Sequence, residues 1–195
     1  MTKQSPILKA VSYWEHAHKN RDKTADYLLL ATVDAKKRPH VRSVLIKTFD
    51  EKGIGFVTNK TGPKVQQFKK NKMVEGCIIW PTLCMQVRIA GTLRPMAKKQ
   101  IDFFWSKRDR QAQILYSLGL PQSSEIPSYA YLLEEVRKLG EKWKDKKVIP
   151  TAPNYVGFIL APKTIEFLHH NISRLNQREF FTKTKQGWKL SFLAP

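Results

Sequence analysis

Three short stretches of this chain place cations where an anion could be held. The first is Arg42-Ser43-Val44-Leu45-Ile46-Lys47, two cations on one apolar run. Side chains on a regular strand alternate with period two, so positions 42 and 47 would point to opposite faces. Either one cation is simply solvated, or the strand passes a ligand that is touched from both sides. The second is Thr58-Asn59-Lys60-Thr61-Gly62-Pro63-Lys64, where a strand runs through a glycine turn into a helix start. Free backbone N–H groups and the helix dipole make such a place an anion site. Lys64 in a first turn opposes the dipole, and an anion between them would explain it. The third is Arg174-Leu175-Asn176-Gln177-Arg178, behind the run Thr164–His169. Arginines four apart could clamp a phosphate or carboxylate, or could pair with Glu166 or Glu179.

Other chemistries are missing. No nucleophile elbow, P-loop or Rossmann glycine fingerprint is present. His169-His170 lack ligand spacing, and Cys77 and Cys84 have no histidine partners, so no metal site is expected and both cysteines read as reduced core residues. The charge is unusual: 35 basic against 16 acidic residues gives +19, more than one or two bound phosphates would balance. Such a field attracts anions at long range and admits nucleic-acid contact. The lysines are scattered, however, and no nucleic-acid motif accompanies them, so that partner is not favoured. No apolar run is long enough to span a membrane, and the first residues carry no secretory apolar segment, which makes the cytoplasm the default location.

The elements that must position these cations follow from periodicity. A helix is predicted over Ser5–Lys19, with Ile7, Leu8, Val11 and Trp14 on its apolar face. Strands are predicted at Tyr27–Val33, His40–Phe49 and Ile54–Thr58, with a hairpin turn at Asp50–Gly53 and a helix opening at Thr61-Gly-Pro-Lys64, Thr61 as its cap. Met73–Trp80 and Met85–Leu93 make a second strand pair. Helices over Lys98–Trp105, Arg110–Ser117 and Tyr129–Trp143 follow. Four strands, Tyr155–Leu160, Thr164–His169, Glu179–Thr184 and Trp188–Phe192, close the chain. Sequential strand pairs without βαβ alternation predict one mainly β (α+β) domain over residues 1–195, with residues 1–25 as a helical N-terminal segment. The architecture expected is a small antiparallel barrel with peripheral helices.

In order along the chain, Arg42–Lys47, Asp50-Glu-Lys-Gly53, Phe56-Val-Thr-Asn59, Gln86-Val-Arg88, Gln122-Ser-Ser124, Ile165-Glu-Phe167, Arg174–Arg178 and the ending Trp188…Leu193-Ala-Pro195 resemble the pyridoxamine 5'-phosphate oxidase family. The resemblance implies a split barrel and a homodimer with FMN at its interface. It implies hydride transfer from a small anionic or aromatic substrate to flavin N5, then reoxidation by dioxygen to hydrogen peroxide. Carried over, Arg42 and Lys64 would hold the FMN phosphate, with Gln122 and Ser123 helping. Ser43, Val44, Leu45 and Ile46 would run along the flavin, and Val57, Thr58, Gln86, Leu168 and Arg178 would be further contacts. Lys47 would lie between flavin and substrate, and Arg108 and Arg174 would bind the substrate.

This chain departs from the pattern at specific positions. Phe104 and Ala112 stand where the family has a phosphate-binding Tyr and Ser, and Asn176 where it has His. Val57, Pro63 and Leu168 replace a Tyr, an Arg and a Trp on the flavin side. Hydrogen bonds to a charged group are worth ~1.5–3 kcal/mol each, so two lost hydroxyls would weaken a phosphorylated substrate by about two to four orders of magnitude unless compensated. Three readings therefore stand: an oxidase of vitamin B6 phosphates, a related FMN oxidase with another substrate (as in phenazine biosynthesis), and a non-catalytic binding module for flavin, pyridoxal phosphate or nucleic acid.

Overall fold

The computed structural model describes residues 5–195. Eight strands form one sheet in the order β3-β2-β1-β4-β5-β6-β7-β8, and an additional β3–β6 pairing closes the first six into a barrel. They are β1 Tyr27–Val33, β2 Pro39–Asp50, β3 Gly53–Asn59, β4 Met73–Trp80, β5 Met85–Pro95, β6 Tyr155–His169, β7 Gln177–Thr184 and β8 Gly187–Phe192. Neighbours along β3-β2-β1-β4 and β4-β5-β6-β7-β8 are antiparallel. Alternation explains the closure. Leu28 and Leu30 of β1, Ile78 and Trp80 of β4, and Val87 and Ile89 of β5 are buried, while Leu29 and Ile79 between them face outward. Closing the ring leaves no barrel strand with an open edge.

Two irregularities matter. On β2 the register slips between Ile46 and Thr48, so Lys47 is the extra residue of a bulge. The buried set accordingly changes phase, from Val44 and Ile46 to Phe49. The opposite-face expectation for Arg42 and Lys47 assumed a regular strand, and the bulge removes that premise. On the last barrel strand, the two predicted segments Tyr155–Leu160 and Thr164–His169 are one strand, β6. Pro162 is tolerated inside it because it lies at a register shift against Ala90 and Gly91, where no regular ladder bond is required.

The β2–β3 hairpin has a strict backbone requirement. Gly53 has φ +128°, and a Cβ there would lie 1.9 Å from the Leu160 carbonyl oxygen. Gly53→Ala combines a forbidden dihedral with a backbone clash and is expected to cost more than ~2 kcal/mol. A urea midpoint within experimental error of wild type would contradict this contact.

The chain divides into two compact units. One comprises the residues up to Phe56, Gln67–Pro95 and Phe158–Pro195; the other comprises Val57–Gln66 and Met96–Gly157. In the first, helix α1 (Pro6–Lys19) buries Ile7, Ala10 and Ala17, whereas Leu8, predicted on its apolar face, is exposed. The small alanines make that stripe, so hydrophobicity alone misplaced it by one residue. Cys84, predicted as core, is exposed after the turn Pro81–Leu83, and Cys77 is half-buried; both are free thiols.

The second unit carries the start of α2 (Pro63–Lys70) and the helices α3 (Lys98–Ser106), α4 (Arg110–Ser117) and α5 (Tyr129–Trp143). Asp109 caps α4 by accepting from the Gln111 and Ala112 N–H groups, and Ser128 caps α5 through Tyr131 N–H. Ile101, Trp105, Ile114, Ile149 and Tyr155 form its buried centre.

Candidate active site

In the barrel unit, the register places Arg42 opposite Leu30. Its guanidinium donates to the Leu30 carbonyl (3.1 Å), Thr32 Oγ1 (2.5 Å), the His40 carbonyl (3.2 Å) and Gln67 Oε1 (3.1 Å). Thr32 donates in turn to Gln67 Oε1 at 2.6 Å. These neutral acceptors fix the group without cancelling its charge, and partial burial lowers the Arg42 pKa. Among the described residues it forms no ion pair. Along the same strand Val44 and Ile46 point into the core and Ser43 and Leu45 point out. Lys47, at the bulge, is half-buried.

The register also assembles a row across three strands. Gln86 of β5 pairs with Leu168 of β6, which pairs with Arg178 of β7. All three are half-buried on the outward face of the barrel. One pleat further along, Glu166 is buried beneath two arginines. Arg178 Nη2 and Nε reach its Oε1 at 2.7 and 2.8 Å, and Arg88 Nη1 reaches Oε2 at 3.3 Å. Arg178 Nη1 also donates to the Ala194 carbonyl at 2.9 Å. Of the two alternatives for Arg178, the pairing with Glu166 is the one formed. Arg174 is apart from this network: it occupies the exposed β6–β7 turn with φ +61°. Asn176 closes that turn, accepting from the Asn171 N–H at 2.9 Å.

In the helical unit, the start of α2 is tied to the loop that carries Gln122 and Ser123. Lys64 Nζ, on a buried side chain, donates to Gln122 Oε1 at 2.7 Å, and Gln122 N–H donates to Thr61 Oγ1 at 3.0 Å. Thr61 donates its own hydroxyl to Asn59 Oδ1 at 2.8 Å, which corrects its expected role as the helix cap. That hydroxyl bridges two segments instead. Gly62 makes room for the arrangement, since a Cβ there would meet Gln122 Oε1 at 2.3 Å. Thr58 is buried beside Asn59, Val57 is half-buried, and Ser123 is exposed in the left-handed region with φ +69°. No acid occupies the first turn of α2. An ammonium, an amide and an acid-free helix start make a donor set suited to a phosphate, with the Thr61 hydroxyl bracing them.

The same unit holds Arg108, between α3 and α4. Its guanidinium lies 4.7 Å from the Tyr116 ring centre and 5.7 Å from that of Tyr155. Phe104 and Ala112 are both half-buried. Among the described residues no cluster of side chains could hold a metal ion.

Sequence reasoning missed Thr32, Gln67, Tyr116 and Tyr155. Gln67 approaches Arg42 from 25 positions away, and no local spacing signals that. Tyr116 and Tyr155 fall inside a predicted helix and a predicted strand, with no local signal that singles them out.

The chain matches the family model described as pyridoxamine 5'-phosphate oxidase over residues 15–143. Residues 155–195 match the pyridoxine 5'-phosphate oxidase C-terminal dimerisation region. It is 34% identical over 166 residues to the pyridoxine/pyridoxamine 5'-phosphate oxidase of Alkalilimnicola ehrlichii, covering 85% of this chain and 84% of that protein. Among solved structures it is similar to PhzG from Burkholderia lata, in complex with tetrahydrophenazine-1-carboxylic acid, with a TM-score of 0.90, 24% identity and coverage of 100% of this chain and 94% of that one. It also resembles a pyridoxamine 5'-phosphate oxidase-related, FMN-binding protein from Nostoc punctiforme, with a TM-score of 0.76, 20% identity and full coverage of both chains.

Proposed function

The chain belongs to the pyridoxamine 5'-phosphate oxidase family, an FMN-dependent oxidoreductase by that membership, and on this premise we propose that it oxidises a small ring compound bearing an oxyanion. The observation that carries the substrate class is Arg108, a half-buried guanidinium backed by two tyrosine rings and left without a carboxylate partner among the described residues.

Lys64 and Gln122, braced by Thr61, fit the flavin phosphate, with Ser123 and Thr58 as neighbouring contacts; Arg42 of the barrel unit is a further cation available to an anion. Ser43, Val44, Leu45 and Ile46 form the strand along the ring, and Val57 adds an apolar contact. The row Gln86–Leu168–Arg178 offers an amide, an apolar surface and a cation to the ring system. Bound there, FMN would supply a two-electron acceptor that dioxygen can reoxidise to give hydrogen peroxide. The protein's share is positioning and charge. Arg108 takes the substrate oxyanion; Arg174 and Asn176, in the β6–β7 turn of the barrel unit, are substrate contacts on the family resemblance alone. Lys47 offers a positive charge for the electron pair gained on reduction. No protein nucleophile is required.

A homodimer is part of this reading. The outward face of β2, β1 and β4 leaves Val41, Leu45, Tyr27, Leu29 and Ile79 exposed, Val41 by 66%. Apolar surface of this kind marks an interface.

Pyridoxine and pyridoxamine 5'-phosphate are the first substrates to test, because the relatives that share about a third of its residues act on them by name. Anaerobic addition of pyridoxine 5'-phosphate to the FMN-loaded protein is expected to bleach the flavin spectrum, and air to restore it with peroxide. If fully loaded protein keeps its colour, the vitamin B6 reading fails. Phe104 and Ala112 favour the second reading, an oxidase of phenazine-biosynthesis type. A ring carboxylate that bleaches the flavin while the B6 ester does not would select it.

A further inference from the structure

Arg108 carries a charge that its surroundings do not balance. None of the ion pairs among the described residues includes it. It is nevertheless held firmly. Tyr116 and Tyr155 meet edge to face with ring centres 5.1 Å apart, and Trp105 packs on them at 6.2 and 5.1 Å. The Trp105 indole is itself fixed by donation to the Ile149 carbonyl at 2.8 Å. A guanidinium stacked on a rigid aromatic group keeps its plane and its fork of donors in one orientation.

The polar atoms around it are incomplete. Arg108 Nε and the Tyr155 hydroxyl are shut away from solvent with no hydrogen-bond partner, and Tyr155 as a whole is only 3% exposed. Burial raises the Tyr155 phenol pKa; the Arg108 guanidinium, by its charge and as a donor toward the hydroxyl oxygen, pulls the other way without taking up the phenol proton, so the hydroxyl stays protonated and available as a donor. Arg108 Nε can only donate. Two orphaned donors beside an unpaired cation lack one thing, an anionic acceptor. Asn154 Oδ1 is a third buried atom without a partner, although its Nδ2 is anchored on the Tyr116 carbonyl at 3.2 Å.

We propose that Tyr155 is the second donor of an oxyanion seat centred on Arg108, with Tyr116 as the ring that holds the guanidinium in plane. The two tyrosines thereby take over from the hydroxyls that Phe104 and Ala112 cannot supply, and Tyr155 sets selectivity for a ring compound carrying a phosphate or a carboxylate. This rests on the oxidase reading only for calling that compound the substrate.

The test is calorimetric titration of FMN-loaded wild type, Tyr155→Phe and Arg108→Lys with inorganic phosphate, benzoate, pyridoxine 5'-phosphate and neutral pyridoxine. Tyr155→Phe is expected to weaken the preferred anion about tenfold or more, the loss of one hydrogen bond to a charged group, while neutral pyridoxine changes less than about twofold. Arg108→Lys is expected to lose at least as much. Whether phosphate or benzoate binds more tightly identifies the oxyanion. The melting temperature of Tyr155→Phe is expected to equal or exceed that of wild type, because the variant removes an unpartnered buried hydroxyl and keeps the ring. Anion binding by Tyr155→Phe within twofold of wild type, or an equal loss for anionic and neutral ligands, overturns the proposal. Failure of every ligand to bleach the flavin, with the anion effects intact, would sink the oxidase reading and leave this seat standing.

Discussion

Replacing Lys64 by methionine is expected to raise the dissociation constant for FMN about 10- to 100-fold while leaving the fold in place. The side chain is buried at the first turn of α2 and its ammonium already holds Gln122 Oε1 at 2.7 Å. Methionine keeps the apolar stem and removes the ammonium together with its hydrogen bond to Gln122, so Gln122→Ala is the control for the lost brace. Hydrogen bonds between charged partners contribute ~1.5–3 kcal/mol, which is the origin of that range. Quenching of FMN fluorescence on titration into apoprotein measures it directly. Gln122→Ala, which removes a neutral partner, is expected to cost less. Wild-type affinity in Lys64→Met would show that the phosphate is held elsewhere, and the assignment of the α2 start would fall.

Glu166→Ala is expected to be among the most destabilising single changes in the barrel unit, at about 3 kcal/mol. The carboxylate is 5% exposed and accepts from Arg178 on one oxygen and Arg88 on the other. Truncation strips Arg178 of its ion-pair partner, whereas Arg88 keeps Glu75 at 2.6 Å. Arg178 is 23% exposed and Arg88 44%, so solvent softens the penalty and keeps the expectation at the low end of values for broken buried pairs. Glu166→Gln, which retains shape and one acceptor, should lie between wild type and the alanine variant. Urea unfolding decides it: a loss below about 1 kcal/mol would mean that the pair adds little to stability.

The strand and helix pattern was legible because it depends on local alternation and capping. Tyr27–Val33, Met73–Trp80, Arg110–Ser117 and Tyr129–Trp143 form over the predicted bounds. The failures have physical causes. The bulge at Lys47 and the shift at Pro162 are responses to barrel closure, which no short window contains. The α1 stripe of alanines is set by how closely the helix approaches its neighbours, and a hydrophobicity scale does not see that distance.

For the candidate site the division is equally physical. The sequence by itself named the cations Arg42, Lys64 and Arg178, because charged residues at fixed offsets from turns and strand ends are local features, and its resemblance to a flavoprotein family added Arg108. Only the tertiary structure decided what each cation is given to do. Arg178 is balanced by Glu166, Lys64 is braced by Gln122, and Arg42 is fixed by the neutral acceptors Thr32 and Gln67. Arg108 alone among these four is held by aromatic rings and surrounded by unpartnered buried polar atoms. Whether a charge is spent on the fold or kept for a ligand depends on partners brought in from distant parts of the chain, and three-dimensional packing is what brings them.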